Sequence, residues 1–228
     1  MNYKSILNLL GILLVIFSLS FIPPLMLSVF YAEKLSGIFL YSFLFLITLG
    51  CLMWFTSRQK DLPLNISDGF IITTMFWVVL AFAGSIPFYF FGLNLNDAIF
   101  ESVSGITTTG ATVIVGLDEL PKSLLLYRQL LQWIGGMGLI ILAVAVMPTL
   151  GIGGGQLYKM ELPGSHGNQK LTPKITDSAK ALWKIYFGLT IICALLYVLS
   201  GMNLFDAIAH SLSTVAGGGF STHDESIG

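Results

Sequence analysis

Apolar and polar positions alternate along this chain in blocks. Residues 5–30, 38–56, 69–91, 124–147 and 181–200 are long runs dominated by apolar side chains. A helix needs about 20 such residues to cross a hydrocarbon core of about 30 Å, so the pattern predicts five membrane spans. The first run exceeds the roughly 7–15-residue apolar core of a secretory signal and reaches Pro23-Pro24 without a small-residue cleavage site. It is therefore read as a retained span. Trp54 closes the second run as an interfacial anchor. Pro87, near the end of the third, predicts a kink or a helix stop. Polar blocks separate the runs: 31–37 with Glu33 and Lys34; 57–68 with Arg58, Lys60 and the candidate caps Asn65, Ser67 or Asp68; 116–123 with Asp118 and Glu119; and 148–180.

Two shorter stretches break this rhythm, and they copy each other. GLNLNDAIFESVSGITTTGATVI at 92–114 aligns without a gap on GMNLFDAIAHSLSTVAGGGFSTH at 201–223. The pairs Gly92/Gly201, Asn94/Asn203, Leu95/Leu204, Asp97/Asp206, Ala98/Ala207, Ile99/Ile208, Ser102/Ser211, Ser104/Ser213 and Gly110/Gly219 are identical. Chance would give roughly one to three identities over such a length, so the chain contains an internal repeat. Each copy predicts a helix of about eight to ten residues, too short to cross a bilayer. Asp97 and Asp206 are expected to cap these helices; a direct attraction for cations is the second reading of the pair. Each helix runs into a Thr- or Gly-rich segment, Thr107–Ala111 or Ala216–Phe220.

Irregular backbone at membrane depth survives only inside protein or beside a wet cavity. A half-helix followed by such a segment has the parts of an ion selectivity filter. The helix C-terminus carries partial negative charge, and carbonyls of the extended segment can replace a cation's water. Glycine supplies the positive φ that keeps successive carbonyls facing one axis. The expected ion-coordinating set is Thr108, Thr109, Gly110 and Ala111, with Gly217, Gly218, Gly219 and Phe220, acting through backbone oxygens.

Composition narrows the class. The chain has 228 residues, 55% of them hydrophobic and only 10% charged, against about 25% charged in soluble domains. That makes it an all-α integral membrane protein. A net charge of −1 gives no reason to expect a nucleic-acid partner. Cys51 and Cys193 sit in apolar runs and read as packing residues. His166, His210 and His223 show no zinc spacing, and Gly151–Gly155 lacks the Gly-Lys-Ser/Thr ending of a phosphate loop. No nucleophile–base or metal constellation suggests an enzyme. Placing Lys4 in the cytoplasm puts Arg58, Lys60, Lys159, Lys170, Lys174, Lys180 and Lys184 inside, as the positive-inside rule prefers. Both Thr/Gly segments then face outward, with Asp118, Glu119, Asp224 and Glu225.

The order span, half-helix, segment, span resembles the M1–P–M2 unit of potassium channels. Asp97–Ser102 with Thr107–Thr112, Tyr127-Arg128-Gln129 with Gln132–Gly138, Gly151–Gly154 and Gly217–Asp224 resemble the TrkH/TrkG branch of the Trk/Ktr/HKT potassium transporters. The resemblance runs over essentially the whole chain, including an extra N-terminal helix pair. It implies four tandem repeats around one pore, homodimers, and a cytoplasmic nucleotide-sensing regulatory subunit of the TrkA type. It also implies K+ as the transported ion with no other cofactor, and a preference for K+ where glycine holds the filter position, as Gly110 and Gly219 do. The chain divides accordingly into an N-terminal helix pair (1–68), a first repeat with its filter segment (69–150), a cytoplasmic linker (151–180) and a second repeat ending after its filter segment (181–228). One repeat and part of another cannot enclose a four-part filter. The chain is thus expected to be an incomplete form of a potassium uptake protein of the bacterial inner membrane, N-terminus in the cytoplasm. The other function considered is a non-conducting membrane subunit that joins full-length transporters or regulators.

Three residues carry open alternatives. Glu101 and His210 hold equivalent places one turn into the half-helices; they are either functional ionisable groups or side chains reaching a polar crevice behind the filter. Arg128 either snorkels to the interface or pairs with Glu101. The glycines at 135–138 are expected to let another helix or the filter approach closely.

Overall fold

The computed structural model describes residues 3–57, 66–146 and 171–226, with the side chains at 66–70, 139–146 and 171–178 excepted. Arg58, Lys60, Asn65, Gly151–Gly155, Lys159, His166 and Lys170, and the side chains of Ser67, Asp68 and Lys174, lie outside the described residues. Within them every regular element is helical. Among the described residues four helical stretches are long and apolar enough to cross a membrane, with mean hydropathies of 1.9–2.5; this is a multi-pass membrane protein.

The first span is bent. Helix α1 (Tyr3–Ser18) tightens into a 3-10 turn at Leu19–Phe21 and resumes as α2 (Ile22–Phe30). Pro23 and Pro24 sit in the first turn of α2, where a missing N–H costs nothing. Helix α3 (Ser36–Ser57) returns against α1. The two cross at Gly11 and Gly50, where a Cβ on either would stand 2.8 Å from the other's carbonyl oxygen.

Helix α4 (Ile66–Phe91) contains Pro87 without stopping there. It ends instead at Gly92 (φ +124), where Gly92 N and Leu93 N donate back to Tyr89 O and Phe88 O at 3.1 and 3.2 Å. That is a Schellman closure, which wants glycine in the left-handed position. Helix α7 (Leu171–Leu199) ends the same way at Gly201 (φ +97), with Gly201 N to Val198 O and Met202 N to Tyr197 O. The sequence identity Gly92/Gly201 is thus an identity of helix ends.

Short helices follow each: α5 (Leu95–Ile106) and α8 (Leu204–Ala216). They have 12 and 13 residues, longer than the expected eight to ten, yet at about 1.5 Å per residue still too short to span. Helix α6 (Lys122–Val146) packs against both of them. It occupies the expected fourth span. Its Arg128, Gln129 and Gln132 are all fully buried in protein, where polar groups are tolerated. Tyr127 anchors α6 to the N-terminal pair and to α4. Its ring lies 5.3–5.6 Å from those of Phe21, Phe39 and Phe88, and its hydroxyl donates to Gly84 O at 2.8 Å. Glu33, in the turn before α3, accepts from Lys122 N (2.8 Å), Ser123 N (3.3 Å) and the Ser123 hydroxyl, capping α6 from a distant part of the chain.

Candidate functional site: two filter-like segments and what holds them

The half-helices are capped by Asn94 and Asn203, not by the expected Asp97 and Asp206. Both asparagines have extended backbone and accept from the N–H three residues on, Asp97 N at 2.9 Å and Asp206 N at 3.0 Å. Each Asn amide donates in turn to that Asp's carboxylate. The aspartates therefore sit in the first turn, each bonded to the side chain of the capping asparagine, where negative charge suits the helix dipole. The Asn94/Asn203 identity is the sequence signal of these caps.

At their other ends α5 and α8 close alike. Thr108 N to Gly105 O and Thr109 N to Ser104 O correspond, bond for bond, to Gly217 N to Thr214 O and Gly218 N to Ser213 O. The left-handed residue is Thr108 (φ +56) in one copy and Gly217 (φ +69) in the other. Two residues on, Gly110 (φ +80) and Gly219 (φ +86) are again left-handed. Positive φ thus falls on alternate residues of both segments, which is the role expected of glycine. That a β-branched threonine takes one of these places was not legible in the sequence.

The segments meet. A Cβ on Gly110 would run into the carbonyl oxygen of Gly218. The small residues of α6 press on both half-helix ends: a Cβ on Gly135 would overlap Ile106 O, and one on Gly136 would stand 3.1 Å from Ala216 and 2.8 Å from the Tyr186 hydroxyl. Close approach is therefore what these glycines supply. About 300 Å³ of open space lies at the C-terminal end of α5, lined by Trp77, Ile106, Thr107, Thr108 and Gly135.

Behind the first segment Glu101 is fully buried, and Arg128 with it. Arg128 Nε donates to Glu101 at 2.7 Å, which replaces the snorkelling alternative by the ion pair. The Thr112 hydroxyl donates to both Glu101 oxygens at 2.9 Å, and Val113 N adds a bond of 3.3 Å. Arg128 spends its other nitrogens on Thr112 Oγ1 (3.0 Å) and on Ser221 O of the second segment (3.1 Å). Its guanidinium lies 4.4 Å from the centre of the Phe220 ring. One cation is shared between the two copies.

Behind the second segment the charge moves. His210 stands where Glu101 does, buried, with Nε2 3.1 Å from the Thr222 hydroxyl. That hydroxyl donates to Asp206 at 2.7 Å, so His210 acts as the donor to it. His223 bridges Asp206 (3.0 Å) and Asp118, while Gly116 N donates to Asp224 at 3.1 Å. Together these bonds join the loop after the first segment to the second half-helix. The Asp206 carboxylate, then Asp118, raises the His223 pKa above its usual 6.5, and the hydrogen bond from His223 lowers that of Asp118. Spacing along the chain hid this convergence of His210 and His223. Among the described residues no group of three or more His, Cys, Asp or Glu is arranged to hold a metal ion.

Helical spans paired with short capped helices, and two left-handed segments facing each other, define a class of membrane protein built from a duplicated helix–half-helix–segment unit. Residues 36–228 match the family described as TrkH, cation transport protein, and the chain belongs to that family. It is 51% identical over its whole length to the Trk system potassium uptake protein TrkH of Vibrio parahaemolyticus serotype O3:K6 (strain RIMD 2210633), covering 48% of that protein. It is 46% identical to the TrkH of Escherichia coli (strain K12), again covering 48%. The crystal structure of the potassium transporter TrkH from Vibrio parahaemolyticus superposes with a TM-score of 0.86 at 47% identity, over 98% of this chain and 45% of that one. The chain spans about half the length of the curated relatives it matches. Family and all-helical membrane class agree with the sequence reading, and the family is one of transport proteins.

Proposed function

We propose that this chain forms two quarters of a K+ uptake pathway, with Thr108, Thr109, Gly110 and Ala111 and Gly217, Gly218, Gly219 and Phe220 coordinating dehydrated K+ through backbone carbonyls. One observation carries the reading. Two segments, each issuing from the C-terminal end of a capped half-helix, repeat the same alternation of left-handed residues and come into contact at Gly110 and Gly218. The open space at the α5 C-terminus, where helix carbonyls gather partial negative charge, suits a cation leaving such a filter. Potassium uptake is also what the relatives' names state of them.

The remaining assignments belong to the same proposal. The chain divides at 1–68, 69–150, 151–180 and 181–228 into helix pair, first repeat, linker and partial second repeat. It lies in a bacterial inner membrane with its N-terminus in the cytoplasm, among membrane lipids. It works as a homodimer with a cytoplasmic TrkA-type regulatory subunit. Asp97, Glu101, Arg128, Asp206 and His210 support the half-helices and do not touch the ion.

The test is ion flux in vesicles holding the full-length protein. Gly219→Ser is the cleaner filter variant, because nothing lies within 4 Å of the position a Cβ would take there. K+ uptake by the wild type and a weakened preference for K+ over Na+ in the variant are expected. No flux at all refutes the conduction reading; flux with unchanged selectivity refutes the filter assignment.

A further inference from the structure

Gln132 has no part in the assignments above, yet it sits between the two copies. It belongs to α6 and is fully buried. Its Oε1 accepts from the Ser213 hydroxyl at 2.7 Å and from Phe220 N at 3.1 Å, and both donors belong to the second repeat. The Ser213 hydroxyl in turn accepts from Gly219 N at 2.9 Å. One oxygen thus fixes two successive amides of the second segment, one directly and one through a hydroxyl. Gly218 presses on the same carboxamide: a Cβ there would overlap its Cδ and Oε1 and stand 2.6 Å from Nε2. Left-handed backbone is found at Gly217 and Gly219 but not at Gly218, so glycine at 218 is there to admit Gln132. The first segment is held differently. Its Thr109, equivalent to Gly218, bonds Thr107 at 2.7 Å, and Ser104, equivalent to Ser213, donates straight to its own segment at Ala111 O.

We infer that Gln132 is a positioning residue for the second filter segment, so that the second helix of one repeat sets the carbonyl geometry of the next. It touches no ion; it acts through Phe220 N, Ser213 and Gly218. The inference rests on the transport reading for its effect on selectivity, but its structural content does not. Without the acceptor, the buried Phe220 N–H has no partner and the segment must shift to find one.

The experiment uses Gln132→Met, which keeps the shape and removes the acceptor. In vesicles holding the full-length protein, Gln132→Met should lower the K+/Na+ flux ratio about tenfold, the scale of one or two lost buried hydrogen bonds. A merely structural role would lower the amount of folded protein and leave the ratio alone. Ser213→Ala should reproduce the loss, and the double variant should be no worse than either single one. Amide hydrogen exchange at Gly219 and Phe220 in detergent reads the same positioning whether or not ions move, and should quicken in Gln132→Met. A wild type without flux removes the transport reading alone. Unchanged exchange in Gln132→Met, or an unchanged flux ratio in a conducting protein, overturns the inference.

Discussion

The first segment rests on a buried ion pair; the second rests on a neutral ring and an acid nearer the surface. The backbones are the same in both: asparagine cap, Schellman closure, left-handed residue, left-handed glycine. Even the turn after the segment repeats, with Ile114 N on Thr112 Oγ1 at 3.1 Å and His223 N on Ser221 Oγ at 3.0 Å. Only the support has changed. Arg128 already neutralises Glu101 and also reaches Ser221 O. A second buried acid at position 210 would need a cation of its own, since an unpaired buried charge costs several kcal/mol. Histidine fills the place without that demand, and the acid is carried one turn earlier by Asp206. Duplicated units can therefore keep one backbone while dividing a single charge between them.

The largest test of this asymmetry is to neutralise each equivalent position. Glu101→Gln leaves Arg128 buried without its counter-ion and should cost about 3–5 kcal/mol, read as a loss of thermal stability in detergent and of folded yield. His210→Gln keeps a donor for Thr222 and should cost about 1 kcal/mol or less. Equal losses at the two sites would mean that the shared cation is not what distinguishes the copies.

A smaller difference is expected between Gly110→Ala and Gly219→Ala. Both force a side chain into left-handed backbone, at about 1–2 kcal/mol. Only Gly110 faces an obstacle, the carbonyl of Gly218, whereas the space beside Gly219 is open. Overpacking against backbone adds about 1–3 kcal/mol, so Gly110→Ala should be the less stable by that amount in the same unfolding measurement.

The repeat, the helical class and the need for positive φ were legible because they follow from chain-local rules. Glycines end helices and permit left-handed turns wherever they stand, and Gly92, Gly110, Gly201 and Gly219 announce themselves by recurring. The Glu101–Arg128 pair was legible as one alternative, since two buried ionisable groups seek each other. What stayed hidden is what depends on packing between the copies. Gln132 is, by sequence alone, one more polar residue of an apolar helix; its partners Ser213 and Phe220 lie more than 80 residues away. Asp97 and Asp206 suit a helix N-terminus as acids, but the asparagine three residues earlier competes for the same amides and caps the helix. Thr108 gave no sign of its left-handed backbone, because nothing local requires it; the Schellman closure of α5 imposes it.

That imposed strain gives a further, smaller prediction. Thr108→Gly makes the first copy match Gly217. It removes a left-handed penalty of about 1–2 kcal/mol and gives back about 0.5–1 kcal/mol in unfolded-chain entropy. A net gain of up to about 1 kcal/mol in thermal stability is expected. A loss would show that the threonine side chain holds the segment in a way the second copy does without.

The smallest effect concerns the clasp between copies at Asp118, His223 and Asp206, whose His223 and Asp118 side chains are about half exposed (48% and 54%) and so contribute little in absolute terms. Asp224, Glu225 and His210 border the same pocket. The pKa of His223 is raised above 6.5, chiefly by Asp206 and then Asp118. Its contribution is therefore complete below pH 6.5 and is lost as pH rises through the higher folded value. Asp118 is lowered below 3.8, chiefly by its hydrogen bond with His223, so its contribution is present above 3.8 and fades only at more acid pH. The clasp is strongest between these limits. The unfolding temperature of the wild type should fall as pH is taken from 6.5 upward into the alkaline range, and His223→Gln should flatten that slope and also weaken the acid-side fall, since Asp118 loses the partner that lowers it. A slope that survives the substitution would assign the pH dependence to another group and leave the two copies joined chiefly by Arg128 and Gln132.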